Sequence, residues 1–226
     1  MVVKGPPFHI LAKPEEVADR VIVAGDPARV KQVAGMLEEA RLVNENRGLY
    51  VYTGAYRGVP VSVAVHGIGG PSASLVFEEL RMLGAEVIVR LGTAGGLLPE
   101  LEAGELVIAN AATYLSGSGA LAAYAPGVCL PTAPTYEILE ALVNEARRSN
   151  ARFRVGPVVS NDAFYAESPE FAEMWRSRGA VAVEMECATL FGLAHLRGFK
   201  SGAILVLSNN VVKGTPILLA DQIREY

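Results

Sequence analysis

Cysteine and histidine are scarce in this sequence of 226 residues, which contains two cysteines and three histidines. Two cysteines cannot build the disulfide framework that is typical of small secreted proteins. No pair of these side chains shows the spacing of a zinc motif. The residues concerned are Cys129, Cys187, His9, His66 and His195. We therefore expect a protein that holds no metal.

An excess of positive charge is also absent, since 20 lysines and arginines face 24 acidic residues and the net charge is −4. Without a basic surface, nucleic acid is excluded as an expected partner. No apolar run reaches the ~18 residues that a membrane span needs. Residues 1–5 lead directly to Pro6 and Pro7 without the apolar segment of a signal peptide. We therefore expect a cytoplasmic protein with no membrane partner.

Apolar residues are plentiful, at 51% of the chain, and the mean hydropathy is +0.29. This content is enough for a sizeable core and excludes a disordered chain. No repeat, charge run or Ser/Gly linker divides the sequence, so we expect residues 1–226 to form one domain. High apolarity without a membrane span predicts buried interfaces between subunits.

Short apolar runs alternate with helical patterns along the chain. The predicted strands are Val21–Ala24, Leu49–Tyr56, Val59–Val65, Val87–Leu91, Glu105–Asn110, Val181–Val183 and Ala203–Leu207. The predicted helices are Pro27–Glu39, Pro71–Leu83, Thr135–Arg148, Pro169–Ser177 and Glu186–Leu196. Alternation of this kind favours an α/β fold with a largely buried sheet. The hairpin at residues 49–65 makes the predicted sheet mixed.

Glycine-rich turns follow three of the apolar strands. They are Gly25–Arg29, Gly67–Ser72 and Gly92–Gly96. Open α/β sheets bind ligands at the carboxyl ends of their strands, and a following helix offers free N–H groups to an anion. Either these glycines serve only tight turns, or they surround an anionic ligand.

Arg90 ends an apolar strand and is followed by the turn that contains Thr93. A buried arginine needs a counterion. That counterion is either a carboxylate of the protein, in a structural salt bridge, or a bound oxyanion, since guanidinium matches phosphate geometry bidentately.

Polar residues also end two further strands. Glu184 and Glu186 flank Met185 at a strand-to-helix boundary, where they either cap the helix or hold a vicinal diol such as that of ribose. Ser208 and Asn209 follow the last apolar strand, where they either form a turn or contact the edge of a base. Together with the predicted oxyanion site, these residues suit a nucleoside plus inorganic phosphate.

The ordered set of motifs resembles the nucleoside phosphorylase-I family, and within it the hexameric purine nucleoside and methylthioadenosine phosphorylases. The resemblance runs from His9 to about Asn210. The matching motifs are Gly25–Arg29, Asn46–Gly48, His66–Ser72, Arg90–Gly95, Asp162–Tyr165 and Val183–Glu186. The resemblance implies a mixed sheet, partly barrel-like and flanked by helices, in a homohexamer built as a trimer of dimers.

The resemblance also implies roles for individual residues. The implied phosphate ligands are Gly25, Arg29, Arg90 and Thr93, with Arg47 reaching the site of a neighbouring subunit. The implied nucleoside ligands are Phe164, Glu184, Met185, Glu186, Ser208 and Asn209, with His9 approaching a neighbour's 5′ position. Arg90, Glu186 and Asn209 would carry the catalysis. Phosphate is then a co-substrate, and no cofactor is required.

This sequence departs from the family pattern in several places. Asn209 stands where many hexameric relatives have an aspartic acid that protonates the purine N7, and Gln222 falls near the place of an arginine that assists it. A long C-terminal helix is expected to be missing or very short. The Gln-x-Arg insertion of pyrimidine-specific members is absent after Phe164, which favours purines.

These observations predict reversible phosphorolysis of purine ribonucleosides, with 6-oxopurines such as inosine and guanosine preferred, to the free base and ribose 1-phosphate. The alternatives are a methylthioadenosine or adenosine phosphorylase, a uridine phosphorylase, a nucleosidase, and a catalytically silent nucleoside-binding protein. If any disulfide exists, we expect Cys129 to pair with its copy across a twofold axis, because Cys187 falls in a predicted buried helix.

Overall fold

The computed structural model describes residues 6–114 and 119–223. Nine strands lie within these ranges: β1 (Arg20–Ala24), β2 (Glu38–Asn44), β3 (Val51–Tyr56), β4 (Val59–Val65), β5 (Val87–Gly96), β6 (Leu106–Tyr114), β7 (Phe153–Ser160), β8 (Ala182–Glu184) and β9 (Lys200–Asn210). The α-helices there are α1 (Pro27–Ala34), α2 (Gly69–Met82), α3 (Gly119–Tyr124), α4 (Tyr136–Arg148), α5 (Pro169–Arg176), α6 (Cys187–Arg197) and α7 (Ala220–Ile223). None of these helices is long and apolar enough to cross a bilayer.

All nine strands belong to one mixed sheet in the order β2-β3-β4-β1-β5-β8-β7-β6-β9. Strand β9 also pairs with β5, so that β5, β8, β7, β6 and β9 close into a five-stranded ring. The other four strands extend from β5 as an open flank, in which β1 runs parallel to both β4 and β5. The predictions of an α/β fold and of a partly barrel-like mixed sheet are confirmed.

Helix α6 supplies the centre of the core because it is apolar on all sides, and residues 187–194 are buried throughout. It packs against α2 and against strands of the ring. Phe191 of α6, Phe77 of α2 and Leu205 of β9 are fully buried in this cluster. A helix buried on every face fixes its own N-terminus firmly, and that N-terminus carries Glu186 as its N-cap.

Several elements differ from the sequence prediction. Helix α1 ends at Ala34, and the predicted helical residues up to Glu39 instead lead into strand β2. Strand β2 was not predicted, because it is an edge strand whose first five residues are all exposed and show no alternation. Strand β7 was missed because Gly156 and Pro157 interrupt its pattern. The short helix α3 was missed as well.

Candidate active site

A cavity of about 860 Å³ opens at the carboxyl ends of β1, β5 and β9. It is lined by ten of the twelve residues that the sequence predicts for the site. They are Gly25, Arg29, Arg90, Thr93, Phe164, Glu184, Met185, Glu186, Ser208 and Asn209. These residues come from five separate stretches of the chain, and the pairing of strands in the sheet brings them together.

Gly25 and Arg29 lie at the start of helix α1, which Asp26 caps by accepting the N–H of Ala28 at 2.8 Å. Gly25 is required here, because a Cβ at this position would lie 2.8 Å from the carbonyl oxygen of Gly67. Burial lowers the pKa of Arg29, and only the carboxylates of Asp26 and Glu186 oppose this effect. A desolvated guanidinium beside a helix N-terminus favours a bound anion.

Arg90 is 4% exposed and is paired with two carboxylates. Its Nη2 lies 2.5 Å from Oε2 of Glu186 and 3.2 Å from Oε2 of Glu184. Burial would lower the pKa of Arg90, but these two carboxylates raise it above the ordinary value. The structural salt bridge is therefore present. The one described hydrogen-bond contact of Nη1 is with His66 Nε2 at 3.5 Å, so Nη1 keeps a donor for a bound oxyanion.

Gly92 makes room for this guanidinium. A Cβ at position 92 would lie 2.2 Å from Nη1 of Arg90. Any side chain there would push Arg90 away from Glu184 and Glu186. The turn predicted at Gly92–Gly96 is wrong, because these residues continue strand β5 and pair with β9, and within the strand Gly92 sets the place of the arginine.

Glu184 caps helix α6 and bridges it to the barrel. Its carboxylate accepts the N–H of Glu186 at 2.7 Å and of Cys187 at 2.9 Å, and Ser160 Oγ donates to it as well. With Arg90 as a fourth partner, its oxygens are used within the protein. The structure therefore gives Glu184 the helix-capping role, and a contact with nucleoside stays a prediction.

Glu186 lines the cavity beside Arg90. One oxygen accepts the N–H of Gly69 at 2.6 Å, and the other accepts Nη2 of Arg90. Burial raises the pKa of Glu186, while Arg90 acts in the opposite direction. Each oxygen keeps a lone pair, so the carboxylate can still accept two hydroxyl groups of a diol.

Apolar and amide side chains also line the cavity. Phe164 lies there with Val183 and Ile217. Ser208 Oγ lies 3.2 Å from Oδ1 of Asn209 and 3.2 Å from the carbonyl oxygen of Ala94. When the Ser208 hydroxyl donates to Oδ1, it fixes the orientation of the Asn209 amide. The NH₂ group of Asn209 is then free to donate into the cavity.

Asn210 and Gln222 do not line the cavity. The Nδ2 of Asn210 donates to the carbonyl oxygens of Leu98 and Leu101, both at 2.8 Å. Gln222 accepts the N–H of Leu219 at the start of its own short helix, α7. Gln222 therefore does not assist Asn209 within one chain.

Glu167 lines the cavity but was not predicted from the sequence. It follows the short 3-10 helix at Phe164–Ala166 and is half-buried. Its position three residues after Phe164 was the only available signal. The sequence also did not predict that His66 lies beside Arg90. Burial and the charge of Arg90 hold the pKa of His66 well below the usual range.

His9 and Arg47 lie outside the cavity of their own chain, but close to each other. The Nδ2 of Asn46 donates to the carbonyl oxygen of His9 at 3.0 Å and thereby joins it to the turn that contains Arg47. Arg47 is exposed and has a φ of 56°. The Nδ1 of His9 lies 2.6 Å from Glu79. The structure thus groups these two residues on one surface.

The cysteines have the exposure that the sequence predicts. Cys129 is exposed, and Cys187 is buried at the start of α6. His195 has its Nε2 3.1 Å from the carbonyl oxygen of Ala133. No group of three His, Cys, Asp or Glu side chains within residues 6–114 and 119–223 could hold a metal ion. A disulfide at Cys129 stays a prediction.

Comparison with known proteins shows which family this architecture belongs to. A family model described as the phosphorylase superfamily matches residues 19–222. Guanosine phosphorylase from Halorubrum lacusprofundi is 36% identical over 206 residues, which cover 91% of this chain and 84% of that protein. Uridine phosphorylase from Thermococcus kodakarensis is 35% identical over 222 residues, which cover 92% of this chain and 79% of that protein.

Solved structures show the same fold. The crystal structure of uridine phosphorylase from Vibrio fischeri ES114 matches with a TM-score of 0.86 at 27% identity, over 94% of this chain and 88% of that chain. The chain therefore belongs to the phosphorylase superfamily and is an enzyme, a nucleoside phosphorylase of the pentosyltransferase class.

Proposed function

We propose that the enzyme catalyses reversible phosphorolysis of 6-oxopurine ribonucleosides, guanosine and inosine, to the free base and ribose 1-phosphate. The observation that carries the proposal is one cavity with three chemically distinct parts. Arg29 and Arg90 offer guanidinium groups to an anion, Glu186 beside Arg90 offers a carboxylate to a diol, and Asn209 offers an amide to a base. The name of the Halorubrum lacusprofundi relative, guanosine phosphorylase, supports the choice of base.

Positioning and electrostatics supply the catalysis. Phosphate, held by Arg29, Thr93 and Nη1 of Arg90, attacks C1′ while the bond from C1′ to N9 breaks. The ribose becomes oxocarbenium-like, and the phosphate charge offsets its positive charge. Glu186 accepts the 2′ and 3′ hydroxyls and fixes the sugar for in-line attack. The electron pair of the broken bond passes to the purine.

Asn209 stabilises the departing base. In hypoxanthine or guanine the developing negative charge spreads over N7 and O6, and the amide NH₂ can donate one hydrogen bond to each. Donors aimed at charge that develops in the transition state lower the barrier to reaction. Adenine gains less, because it has no O6 and depends more on full protonation of N7.

The assembly belongs to the same proposal. His9 and Arg47 lie together on the surface and outside their own cavity, so they can serve the cavity of a neighbouring subunit. A homohexamer built as a trimer of dimers would use them in this way. We also propose that the enzyme acts in the cytoplasm, in purine salvage, with phosphate as co-substrate and without a metal or organic cofactor.

A uridine phosphorylase is the second candidate. The relative from Thermococcus kodakarensis and the structure from Vibrio fischeri ES114 both carry this name. Against it, residues 164–169 lack the Gln-x-Arg insertion that is expected of pyrimidine-specific members. An adenosine or methylthioadenosine phosphorylase is disfavoured by Asn209.

The test is a substrate panel measured with and without phosphate: guanosine, inosine, adenosine, methylthioadenosine and uridine. We expect turnover that depends on phosphate and is fastest with guanosine and inosine. Faster cleavage of uridine or of an adenine nucleoside would contradict the choice of base. Equal turnover without phosphate would show a nucleosidase, and tight binding of hypoxanthine without turnover would show a silent binding protein.

A further inference from the structure

The imidazole ring of His66 lies behind the wall of the cavity and is close to two of the residues that line it. His66 directly follows strand β4 and is fully buried. Its Nε2 lies 3.5 Å from Nη1 of Arg90, and its Cε1 would lie 3.5 Å from a Cβ at position 25. The ring is therefore close both to the guanidinium of β5 and to Gly25 before helix α1.

The surroundings of His66 fix its ring in place. Its backbone N–H donates to the carbonyl oxygen of Ala24 at 2.9 Å, and its own carbonyl oxygen accepts the hydroxyl of Ser72 at 2.8 Å. The ring meets that of Phe77 edge-on, with the two centroids 5.6 Å apart. A ring with so little freedom can restrain a neighbouring side chain.

The contact with Arg90 sets the protonation state of His66. A guanidinium nitrogen can only donate hydrogen bonds, so Nε2 of His66 must be the acceptor and the proton of the neutral ring lies on Nδ1. Burial and the charge of Arg90 lower the pKa of His66, and the backbone of residues 66 and 67 opposes them only in part. His66 therefore presents a lone pair to Arg90.

Packing alone does not account for a histidine at this position. Nδ1 of His66 is buried and has no hydrogen-bond partner among residues 6–114 and 119–223. A buried N–H group of this kind has lost water without gaining a partner, which costs free energy. A phenylalanine could pack against Phe77 without that cost. The contact of Nε2 with Arg90 is the feature that an apolar ring could not supply.

The other contacts of Arg90 all lie on the carboxylate side of its guanidinium. Nη2 is bound to Glu184 and Glu186, and Nε lies 3.4 Å from Glu184. With these contacts alone the guanidinium could pivot about the carboxylates. An acceptor at Nη1 opposes that movement, because the five N–H groups of a guanidinium lie in one rigid plane.

We propose that His66 is a positioning residue for phosphorolysis: its Nε2 accepts one N–H of Arg90 Nη1 and thereby holds the other N–H towards phosphate. This inference rests on the proposed function, in which Arg90 binds phosphate, and deepens it. A donor that is oriented before phosphate arrives costs no binding free energy to order. Loss of the acceptor should therefore weaken the binding of phosphate rather than that of the nucleoside.

The test compares the wild type with His66→Phe, His66→Asn and His66→Gln, using the nucleoside that the wild type cleaves fastest. A glutamine carries its amide oxygen at about the distance of Nε2 from the backbone, so it keeps an acceptor for Arg90. An asparagine is too short for this, and a phenylalanine has no acceptor. We expect the phosphate KM to rise about tenfold in His66→Phe and His66→Asn, but less than about threefold in His66→Gln.

The nucleoside KM should change by less than about twofold in all three variants, because Arg90 keeps its contacts with Glu184 and Glu186. His66→Phe should unfold at the same urea concentration as the wild type, which separates positioning from stability. The control is His195→Phe, since His195 is exposed on α6 and does not line the cavity. It should behave like the wild type.

A second measurement decides the matter if the variants of His66 do not fold. In the wild type labelled with ¹⁵N-histidine, with phosphate present at neutral pH, NMR should show His66 as a neutral ring protonated at Nδ1. The signals of the other two histidines are identified by their loss in His9→Gln and His195→Phe. A ring protonated at Nε2, or at both nitrogens, would overturn the inference, because Nε2 would then face Arg90 as a donor.

Two kinetic outcomes would also overturn the inference while leaving the proposed function in place. One is an unchanged phosphate KM in His66→Phe, and the other is an equal loss in His66→Gln and His66→Phe. Absence of phosphate-dependent cleavage by the wild type, or an unchanged phosphate KM in Arg90→Ala, would instead overturn the proposed function.

Discussion

Arg29 and Arg90 line the same end of the cavity, but they differ in their contacts with the protein. Arg29 makes one described hydrogen bond, from Nη1 to the carbonyl oxygen of Leu91 at 3.4 Å. Arg90 is the counterion of two buried carboxylates, Glu184 and Glu186. Removing Arg29 therefore removes a ligand of the anion, whereas removing Arg90 also leaves two buried charges without their partner.

We expect Arg29→Ala and Arg90→Ala to differ in stability rather than in activity. Both should lose about 2–5 kcal/mol of transition-state stabilisation, because each contributes a charged contact in a desolvated site. Arg90→Ala alone should also lose about 3–5 kcal/mol of folding free energy. The phosphate KM and kcat measure the loss of transition-state stabilisation. Urea unfolding measures the loss of folding free energy. An unfolding midpoint like that of the wild type in Arg90→Ala would refute the structural part, and an unchanged phosphate KM would refute the binding part.

Asn209→Asp should raise kcat for adenosine relative to inosine. An aspartic acid can give a full proton to N7, and adenine depends on that proton more than hypoxanthine does. The change should appear in kcat rather than KM, because the charge develops only in the transition state. Steady-state kinetics with both nucleosides measures it. A wild type that already cleaves adenosine faster than inosine would show that this view of Asn209 is wrong.

The sequence identified most residues of the cavity because strand ends followed by glycine or polar residues have a recognisable pattern. The sequence could not assign the helix-capping role to one of the two carboxylates, because Glu184 and Glu186 are only two positions apart. The fold shows that Glu184 caps α6. Glu167 escaped notice because a lone glutamate in a loop is an ordinary surface residue until the cavity is seen around it.

One side chain of helix α2 binds the segment at residues 8–11. The carboxylate of Glu79 accepts the backbone N–H groups of Phe8, His9 and Ile10 and contacts Nδ1 of His9 at 2.6 Å. Burial alone would raise the pKa of Glu79, but these hydrogen bonds together lower it below its ordinary value of 4.5. The carboxylate therefore places His9 on the surface.

We expect Glu79→Gln to cost about 1–3 kcal/mol of folding free energy at pH 7, since an amide NH₂ would face backbone donors. Because the folded pKa is lowered, the carboxylate stabilises the fold fully above about pH 4.5. That stabilisation is lost as the pH falls through the folded pKa. The difference between variant and wild type should therefore shrink below pH 4.5. Urea unfolding at several pH values measures this.

The matched control is Glu137→Gln, because Glu137 is exposed on α4 and lies 3.9 Å from Lys200. It should change stability by less than about 0.5 kcal/mol. A difference between Glu79→Gln and the wild type that stays constant from pH 7 to pH 3 would contradict the role of the charge.

Among the elements, those with clear periodicity or apolar runs were predictable, and those shaped by tertiary contacts were not. Helix α4 was expected over Thr135–Arg148 and occurs over Tyr136–Arg148. Strand β5 runs on to Gly96, beyond the expected end at Leu91, because its glycine-rich end pairs with β8 and β9. Ring closure depends on pairings between strands distant in sequence, which no local pattern contains.

The assembly can be tested by mixing two inactive variants. Arg47→Ala should impair the cavity of a neighbour, and Glu186→Ala should impair the cavity of its own chain. Mixed oligomers then contain some sites with both residues intact, so activity should return after joint refolding. An active monomer in solution, or no recovery on mixing, would show that each chain supplies its own site. Two copies of the same variant, treated identically, serve as the control.

Closure of the five-stranded ring has a consequence for solubility. An open sheet has two outer strands with unpaired backbone groups, and each can recruit a strand from another molecule. Here β9 returns to β5, so β2 is the one outer strand left in the described sheet. It begins Glu38, Glu39, Ala40, Arg41, and these side chains are exposed. Charges along the only open border discourage uncontrolled strand addition during folding and at high concentration.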